Sequence, residues 1–446
     1  MSASPASGVS EALQKLYRRN VHTIKLDLYP VRAVCEVLGD PQDQFLSVHV
    51  AGTNGKGMVT EMVGSVLRAA GLTTGVYSSP HLIRFSERLR VNGERIGDAA
   101  LLEGMDRVEA AVSRVMAEGV RDLTFFEFTT ALAFDWFHRQ SVHVAAVETG
   151  MGGRLDATNV MIPAVSVITS IGLEHTQYLG STLDKIAGEK AGIIKPGRPV
   201  VVGELPDEAM EVVARTARKL DAPLHIAHDL VSIRRKNQQW SGQTFEVSTE
   251  GGEQGLLTLP FLGPHPAQNL AVALAACLVL RDQVGLPLAW EEMLPGLGAT
   301  RLAARTQLLH TDPVVILDGA HNPPAAGVLA KTLKECSRNK PLGMVVGFLS
   351  DKDPGSFMKR FKGQLASCWV VGMDSERALQ PEDLQRQLLA AGIESEVMVD
   401  VKSALHKARR WAEEEGGLVL ITGSFYLAGE VLRLAEQGEL EDFVAP

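Results

Sequence analysis

Apolar positions along the chain recur with two periods, and the alternation between them lays out the fold. FLSVHV (45–50) predicts a short buried strand; after a glycine turn, apolar positions 59, 62, 63, 66, 67 and 70 recur at helical spacing until Gly71 ends the run. TGVYS (74–78), VHVAAVE (142–148), VSVITS (165–170) and RPVVVGE (198–204) predict further strands, separated by helical stretches at 98–118, 125–139 and 181–194. Such alternation implies a mostly parallel sheet covered by helices on both faces. From about 230 to 262 the runs shorten and glycine punctuates them, which predicts a small antiparallel insertion. A helix at 266–285 follows, and PGLGATRLAAR (295–305) loses periodicity, as a connection between domains would. Beyond it VVILDG, MVVGFL, CWVVGM, SEVMVD and LVLITG alternate with helical segments at 324–339, 356–365, 381–392 and 402–415, a second α/β unit with strands enough for its own core.

Length agrees with that division. At 446 residues the chain is too long for one ordinary core, and the expected domains are 1–297 and 298–446. A composition 45% hydrophobic and 22% charged describes a folded, soluble protein. The formal charge of −9 offers no basic field for nucleic acid or an anionic membrane, so an anionic ligand must be gripped by a local site. NLAVALAACLVL (269–280) is too short to span a bilayer, and MSASPASGVS lacks the start of a signal peptide. Cys35, Cys277, Cys336 and Cys368 are scattered without CxxC spacing, so neither a disulfide framework nor a zinc site is expected. A reducing cytoplasm fits these features.

The chemistry concentrates at strand ends. In GTNGKG, Gly52, Gly55 and Gly57 let backbone N–H groups converge on phosphate oxygens at a helix N-terminus, within reach of Lys56. The general pattern GxxxxGK[ST] would place glycine at 50 and a hydroxyl at 57, where this chain has Val50 and Gly57, so a structural glycine turn is the competing explanation. VHVAAVETG ends a strand on Glu148, the place where phosphate-loop enzymes keep a metal acid; a solvated strand-end acid is the alternative. VSVITSIGLEHT delivers His175 to the same sheet edge, and SSPH (78–81) brings Ser78 and Ser79 there, unless it is only a Ser/Pro turn. In the second unit VVILDGAHNPP ends on Asp318, His321 and Asn322; Asx capping explains Asn322 and the prolines but not the acid and the histidine.

HVAGTNGKG, YSSPHLIRFSERLRVNG, TFFEFTTALAF, VETGMGGRLDATNV, ITSIGLEHTQYLGSTLDKIAGEKAGIIKPG, LDGAHNP, GFLSDKD and ITGSFYLAGE together resemble the folylpolyglutamate synthase and dihydrofolate synthase family, in the family's order from about residue 25 to 435. That family lies within the ATP-dependent amino-acid ligases that include the muramyl ligases. The resemblance implies an N-terminal P-loop-type ATP domain and a smaller C-terminal, Rossmann-like α/β domain, with the active site between them. It implies that Gly52, Thr53, Asn54, Gly55, Lys56 and Gly57, with Asn269, Arg305 and Asp318, bind ATP, and that Ser79, Glu148 and His175 serve Mg²⁺. Lys190 matches the family's carbamoylated lysine; read alone it would be an exposed helical lysine. Thr124, Phe125, Phe126 and Glu127, and Leu155, Asp156 and Ala157, match stretches lining the pteridine side, while His321 and Ser424 neighbour the incoming glutamate. At helical spacing, at least two of Phe125, Phe126 and Phe128 are core residues.

Four positions depart from the family. Met58 stands where Ser or Thr is usual and removes a phosphate or metal contact, Ala303-Ala304-Arg305 replaces Pro-Gly-Arg, and Ser86 replaces a commoner Asn. The expected reaction phosphorylates the carboxylate of dihydropteroate, or the terminal γ-carboxylate of a reduced folate, at the expense of ATP. L-glutamate then attacks the acyl phosphate, with Lys56, Lys190 and His321 as the catalytic set. A muramyl-type ligase of cell-wall synthesis and a nucleotide-dependent switch module are the alternatives. A monomer working on small molecules, with no nucleic-acid or membrane partner, is expected.

Overall fold

The computed structural model describes residues 5–19, 27–337 and 339–440, so the outermost residues of both expected domains, 1–4 and 441–446, lie outside it. Eight strands form the first sheet: β1 (Leu46–Ala51), β2 (Thr74–Tyr77), β3 (Leu89–Val91), β4 (Glu94–Arg95), β5 (Val144–Glu148), β6 (Val165–Ile168), β7 (Val200–Val202) and β8 (Leu224–Ile226), in the order β4-β3-β2-β5-β1-β6-β7-β8. Six of them run parallel, and the β3–β4 hairpin adds an antiparallel edge on β2. Because β1 lies between β5 and β6, its side chains are covered on both faces. Val48 and Val50 pack in one core with the helices Lys56–Ala69 and His265–Val279, while Ser47 and His49 point to the opposite face.

The insertion is the expected antiparallel unit, with β9 (Val231–Gln239), β10 (Gly242–Thr249) and β11 (Gln254–Leu259) in the order β11-β10-β9. Trp240, at the turn between β9 and β10, packs against the core of the second α/β unit, and Arg235 pairs with Glu335 there at 3.4 Å. On another side Arg84 reaches Glu436 at 2.9 Å. The third sheet holds β12 (Gln307–Thr311), β13 (Val314–Leu317), β14 (Leu342–Val346), β15 (Leu365–Val370), β16 (Glu396–Val397) and β17 (Leu418–Thr422), ordered β12-β13-β17-β14-β15-β16 and parallel except for the β12–β13 hairpin. Its order reverses around β17, and ligand crevices form at the carboxyl ends of strands flanking such a reversal.

Two expected segments differ. Residues 295–298 continue a helix, Trp290–Gly298, despite Pro295 inside it. Packing overrides the proline, because Gly296 lies so close to the helix Lys56–Ala69 that a Cβ would sit 2.8 Å from the Val66 Cα. The helix expected at 356–365 breaks into Pro354–Met358 and a 3₁₀ turn, Lys359–Phe361, with Gly363 at φ +86° closing it. No helix among the described residues is long and apolar enough to cross a membrane.

Candidate active site

The carboxyl ends of β1, β5, β2 and β6 meet at one edge of the first sheet. β1 runs into the glycine loop, whose Gly55 sits at φ +86° just before the helix Lys56–Ala69; a Cβ there would lie 2.2 Å from the Asn269 Oδ1. The loop is clamped from the β6 side: Thr53 N donates to Ser170 O (2.8 Å), Asn54 N to Ser170 Oγ (2.9 Å) and Thr169 Oγ1 to Asn54 O (2.6 Å). Lys56 Nζ lies over the loop, donating to the carbonyls of Gly52 (2.7 Å) and Thr53 (3.2 Å). Met58 is nearly buried, and its sulfur accepts from Asn269 Nδ2 at 3.3 Å. The position that lacks a hydroxyl therefore holds Asn269 against the loop.

Glu148 ends β5 next to Gly57 and accepts from Ser79 N at 3.0 Å. Burial pushes its carboxyl above the usual range, and the Lys56 ammonium, the Ser79 bond and the Arg305 and Arg88 guanidiniums pull it back. A buried carboxylate so surrounded stays useful as an anion only because cations face it. His175 takes a left-handed φ of 45° ahead of the short helix Thr176–Leu179. Burial lowers its pKa; Lys56, Lys190 and Lys352 push the same way, against Glu174. Lys190 is fully buried, bonded to Glu174, and burial brings its ammonium down to about 8.

From the second unit Arg305 stacks on Phe425 at 4.8 Å. Asp318 accepts from Thr306 N (2.7 Å) and Ala320 N (2.8 Å); burial raises its pKa and the Arg305 charge opposes that most. One guanidinium thus acts on Glu148 of the first sheet and Asp318 of the third. The Lys352 charge likewise bears on both His175 and His321. The packing between the units agrees: Leu82, just past the SSPH loop, lies against the third-sheet core that Phe425 also joins, and a Cβ on Gly429 would sit 2.2 Å from the Leu82 carbonyl oxygen. His321 Nδ1 lies 2.9 Å from Gly319 O, and since a carbonyl only accepts, Nδ1 carries the proton and Nε2 keeps a lone pair. Its ring packs on Phe425, and burial holds its pKa below the ordinary value. Ser424 Oγ accepts from Tyr426 N (2.9 Å) and caps the helix Phe425–Glu436; Asn322 Oδ1 accepts from Ala325 N (3.0 Å), as Asx capping requires.

The third cluster lies on the opposite face of β1. Thr124 and Glu127 form a reciprocal cap on the helix Phe125–Arg139, and Arg121 holds the Glu127 carboxylate at 2.7 Å. Phe125 and Phe128 are buried and Phe126 is half-buried, while Phe125 stacks on Tyr17 (5.4 Å) with the Arg88 guanidinium over its ring. Leu155 is half-buried and Ala157 buried; between them Asp156 accepts from Met151 N (2.9 Å), Thr158 N (3.1 Å) and the Thr158 hydroxyl. Just before it the chain packs on the helix of Lys190, where Arg154 N donates to Glu189 O (2.7 Å) and a Cβ on Gly153 would sit 3.0 Å from Lys190 O.

Five side chains in and around the site went unread in the sequence: His81, Arg88, Glu174 and Lys352, and beneath it the fully buried His49. Arg88 Nε donates to His81 Nδ1 at 2.7 Å beneath the SSPH loop. The legible signal for His49 was a histidine and a serine alternating with valines inside a strand covered on both faces. Burial drives the His49 pKa down to about 3, so between there and its ordinary 6.5 the unfolded chain binds the extra proton. Stability is then fully present above pH 6.5 and falls as the pH drops toward 3, by about 1.4 kcal/mol per unit. In urea titrations between pH 6.5 and 4.5, His49→Gln should flatten the decline by about that slope; an unchanged decline would show that His49 is not its source.

Residues 304–425 match the Mur ligase glutamate ligase domain and residues 50–277 the Mur ligase middle domain, which together with the crevice define an ATP-dependent carboxylate–amine ligase. The folylpolyglutamate synthase of Lacticaseibacillus casei is 35% identical over 90% of this chain and 92% of its own length. The dihydrofolate synthase/folylpolyglutamate synthase of Escherichia coli is 33% identical over 98% and 96%. The chain belongs to the folylpolyglutamate synthase/dihydrofolate synthase family. A solved E. coli structure of this family, in complex with DHPP and ADP, superposes with a TM-score of 0.84 at 32% identity, covering 98% of this chain and 100% of that one.

Proposed function

We propose that this enzyme performs both ligations of its family, joining L-glutamate to dihydropteroate and extending the γ-linked glutamate tail of reduced folates. Its main support is the match of both α/β units to the two Mur ligase domains and of nearly the whole chain to dihydrofolate synthase/folylpolyglutamate synthase, with the Arg305 charge bearing on strand-end acids of both units, Glu148 and Asp318. We take residues 1–297 and 298–446 as the two domains and the crevice between them as the active site, acting in the cytoplasm as a monomer without nucleic-acid or membrane partners.

A carboxylate is a poor acyl donor because its charge repels nucleophiles and oxide does not leave. The pterin acid's carboxylate oxygen attacks the γ-phosphorus of ATP, ADP leaves, and the acyl carbon becomes electrophilic. Gly52–Gly57 cradle the phosphates with backbone N–H groups, Lys56 offsets charge on the transferring group, and Asn269, Arg305 and Asp318 hold the nucleotide. Among the described residues no three His, Cys, Asp or Glu side chains are spaced to hold an ion alone. Mg²⁺ does not need them: it binds through one or two carboxylates plus substrate phosphates, and the buried Glu148 carboxyl, bonded to Ser79 N and faced by Lys56, suits that habit, with His175 following strand β6. When bound it would neutralise phosphate charge.

A neutral amine must then meet the acyl phosphate. The Nε2 lone pair of His321 can take the ammonium proton of glutamate, and Ser424 immediately precedes Phe425, on which His321 packs. The amine forms the amide bond as phosphate departs. Thr124–Glu127 and Leu155–Ala157 form the pterin side, with Asp156 accepting from the pterin. The low pKa of Lys190 leaves enough neutral amine near pH 8 to add to CO₂ and lose a proton, giving the carbamate expected for this family. A Lys190→Met variant should lose about 10–100-fold in affinity for Mg²⁺–ATP, and ¹³C-bicarbonate should give a carbamate resonance in the parent that the variant lacks; its absence from the parent would refute the modification.

The deciding assay supplies ATP, Mg²⁺ and glutamate with dihydropteroate or tetrahydrofolate separately and weighs the products. Both acceptors should gain glutamate mass and yield ADP; elongation of a UDP-linked cell-wall precursor instead would overturn the proposal.

A further inference from the structure

His49 belongs to the strand that feeds the phosphate loop, yet its side chain points away from the phosphates and is fully buried. Its Nε2 lies 2.8 Å from the Thr158 hydroxyl, which is itself fully buried and bonded to Asp156 Oδ1. The proton inventory fixes the direction of both bonds. An Asp156 carboxylate receiving N–H bonds on both oxygens, from Met151 and Thr158, is an acceptor only, so the single hydroxyl proton of Thr158 goes to it. Thr158 must then accept from His49, which makes His49 the Nε2–H tautomer. Its Nδ1 is left as a bare, buried lone pair, and Nδ1 is found without a hydrogen-bond partner. A protonated ring would bury an N–H donor there with nothing to receive it.

We propose that His49 is a positioning residue for pterin recognition: through the Thr158 hydroxyl it locks the orientation of the Asp156 carboxylate, so that the strand carrying the phosphate loop also braces the pterin side. Holding a buried polar group in place on β1 has a purpose that packing lacks, since valine would serve a covered strand better. The inference rests on Asp156 as the pterin acid. It assigns the first link to a histidine that touches no substrate and stays neutral throughout turnover.

Steady-state kinetics with dihydropteroate and with ATP on Asp156→Asn, Thr158→Val, His49→Leu, His49→Gln and the His49→Leu/Thr158→Val double variant test it. Loss of a bond to a charged group should raise the pterin KM about 10- to 100-fold in Thr158→Val and His49→Leu while the ATP KM moves less than about twofold. His49→Gln, which keeps a donor of similar reach, should recover most of the loss, and the double variant should be no worse than the poorer single one. If Asp156→Asn leaves the pterin KM unchanged, the assignment of the pterin side fails and the inference with it. If Asp156→Asn raises it but Thr158→Val and His49→Leu do not, the inference alone fails. Should His49→Leu not fold, Thr158→Val and the ¹⁵N-histidine spectrum of the unaltered protein still decide: a protonated Nε2 with a bare Nδ1 is required, and the opposite tautomer overturns it.

Discussion

Lys56→Ala should lose ATP-dependent ligation by about a thousandfold in kcat/KM while remaining folded. Among the described residues the Lys56 ammonium bonds to the Gly52 and Thr53 carbonyls of its own loop, and its charge is the first to oppose the burial of Glu148. Removing it leaves the loop's other clamps, from Thr169 and Ser170, in place. What disappears is the cation set against the transferring phosphoryl group, a contribution made mostly in the transition state and therefore read in kcat. The check is ligation rate together with thermal melting. Turnover within about tenfold of the parent, at an unchanged melting temperature, would remove Lys56 from the mechanism.

The second large effect should fall on the other half-reaction. His321→Ala is expected to lower amide formation by about 10²- to 10⁴-fold, since a positioned general base contributes on that scale, yet to leave pterin-dependent ADP release much less affected. The two rates should part if His321 serves the glutamate step as proposed, with Nδ1 committed to Gly319 and Nε2 available. Burial holds its pKa below 6.5, so the base stays neutral at pH 7, and the acid limb of the parent's kcat profile should lie below pH 6.5. Equal loss of ADP release and amide formation would assign His321 to the first step or to folding.

Much of this site could be read in the sequence because its residues sit where strands end. The glycine loop, Glu148, His175 and Asp318 each close an apolar run, and parallel strands deliver such ends to one edge of a sheet. Lys190 was invisible to burial patterns: a lysine in GEKAGIIK looks solvent-exposed, and only tertiary packing against Glu174 removes it from water. Glu148 and Asp318 could be located but not joined, because Arg305, the charge that bears on both, lies in an aperiodic stretch whose position depends on where the third sheet docks. The helix Trp290–Gly298 escaped for a local reason, as Pro295 and Gly296 argue against helix and only the close approach to Val66 rewards it. His49 was masked by its strand, since a run that is buried as a whole hides the one residue whose burial needs a partner.

The central claim is that one crevice activates the pterin carboxylate as an acyl phosphate before glutamate attacks. Dihydropteroate labelled with ¹⁸O in its carboxylate tests this most directly. Turnover with ATP, Mg²⁺ and glutamate should deliver one labelled oxygen to each inorganic phosphate released and leave ADP unlabelled. Unlabelled phosphate, or label appearing in AMP, would contradict it.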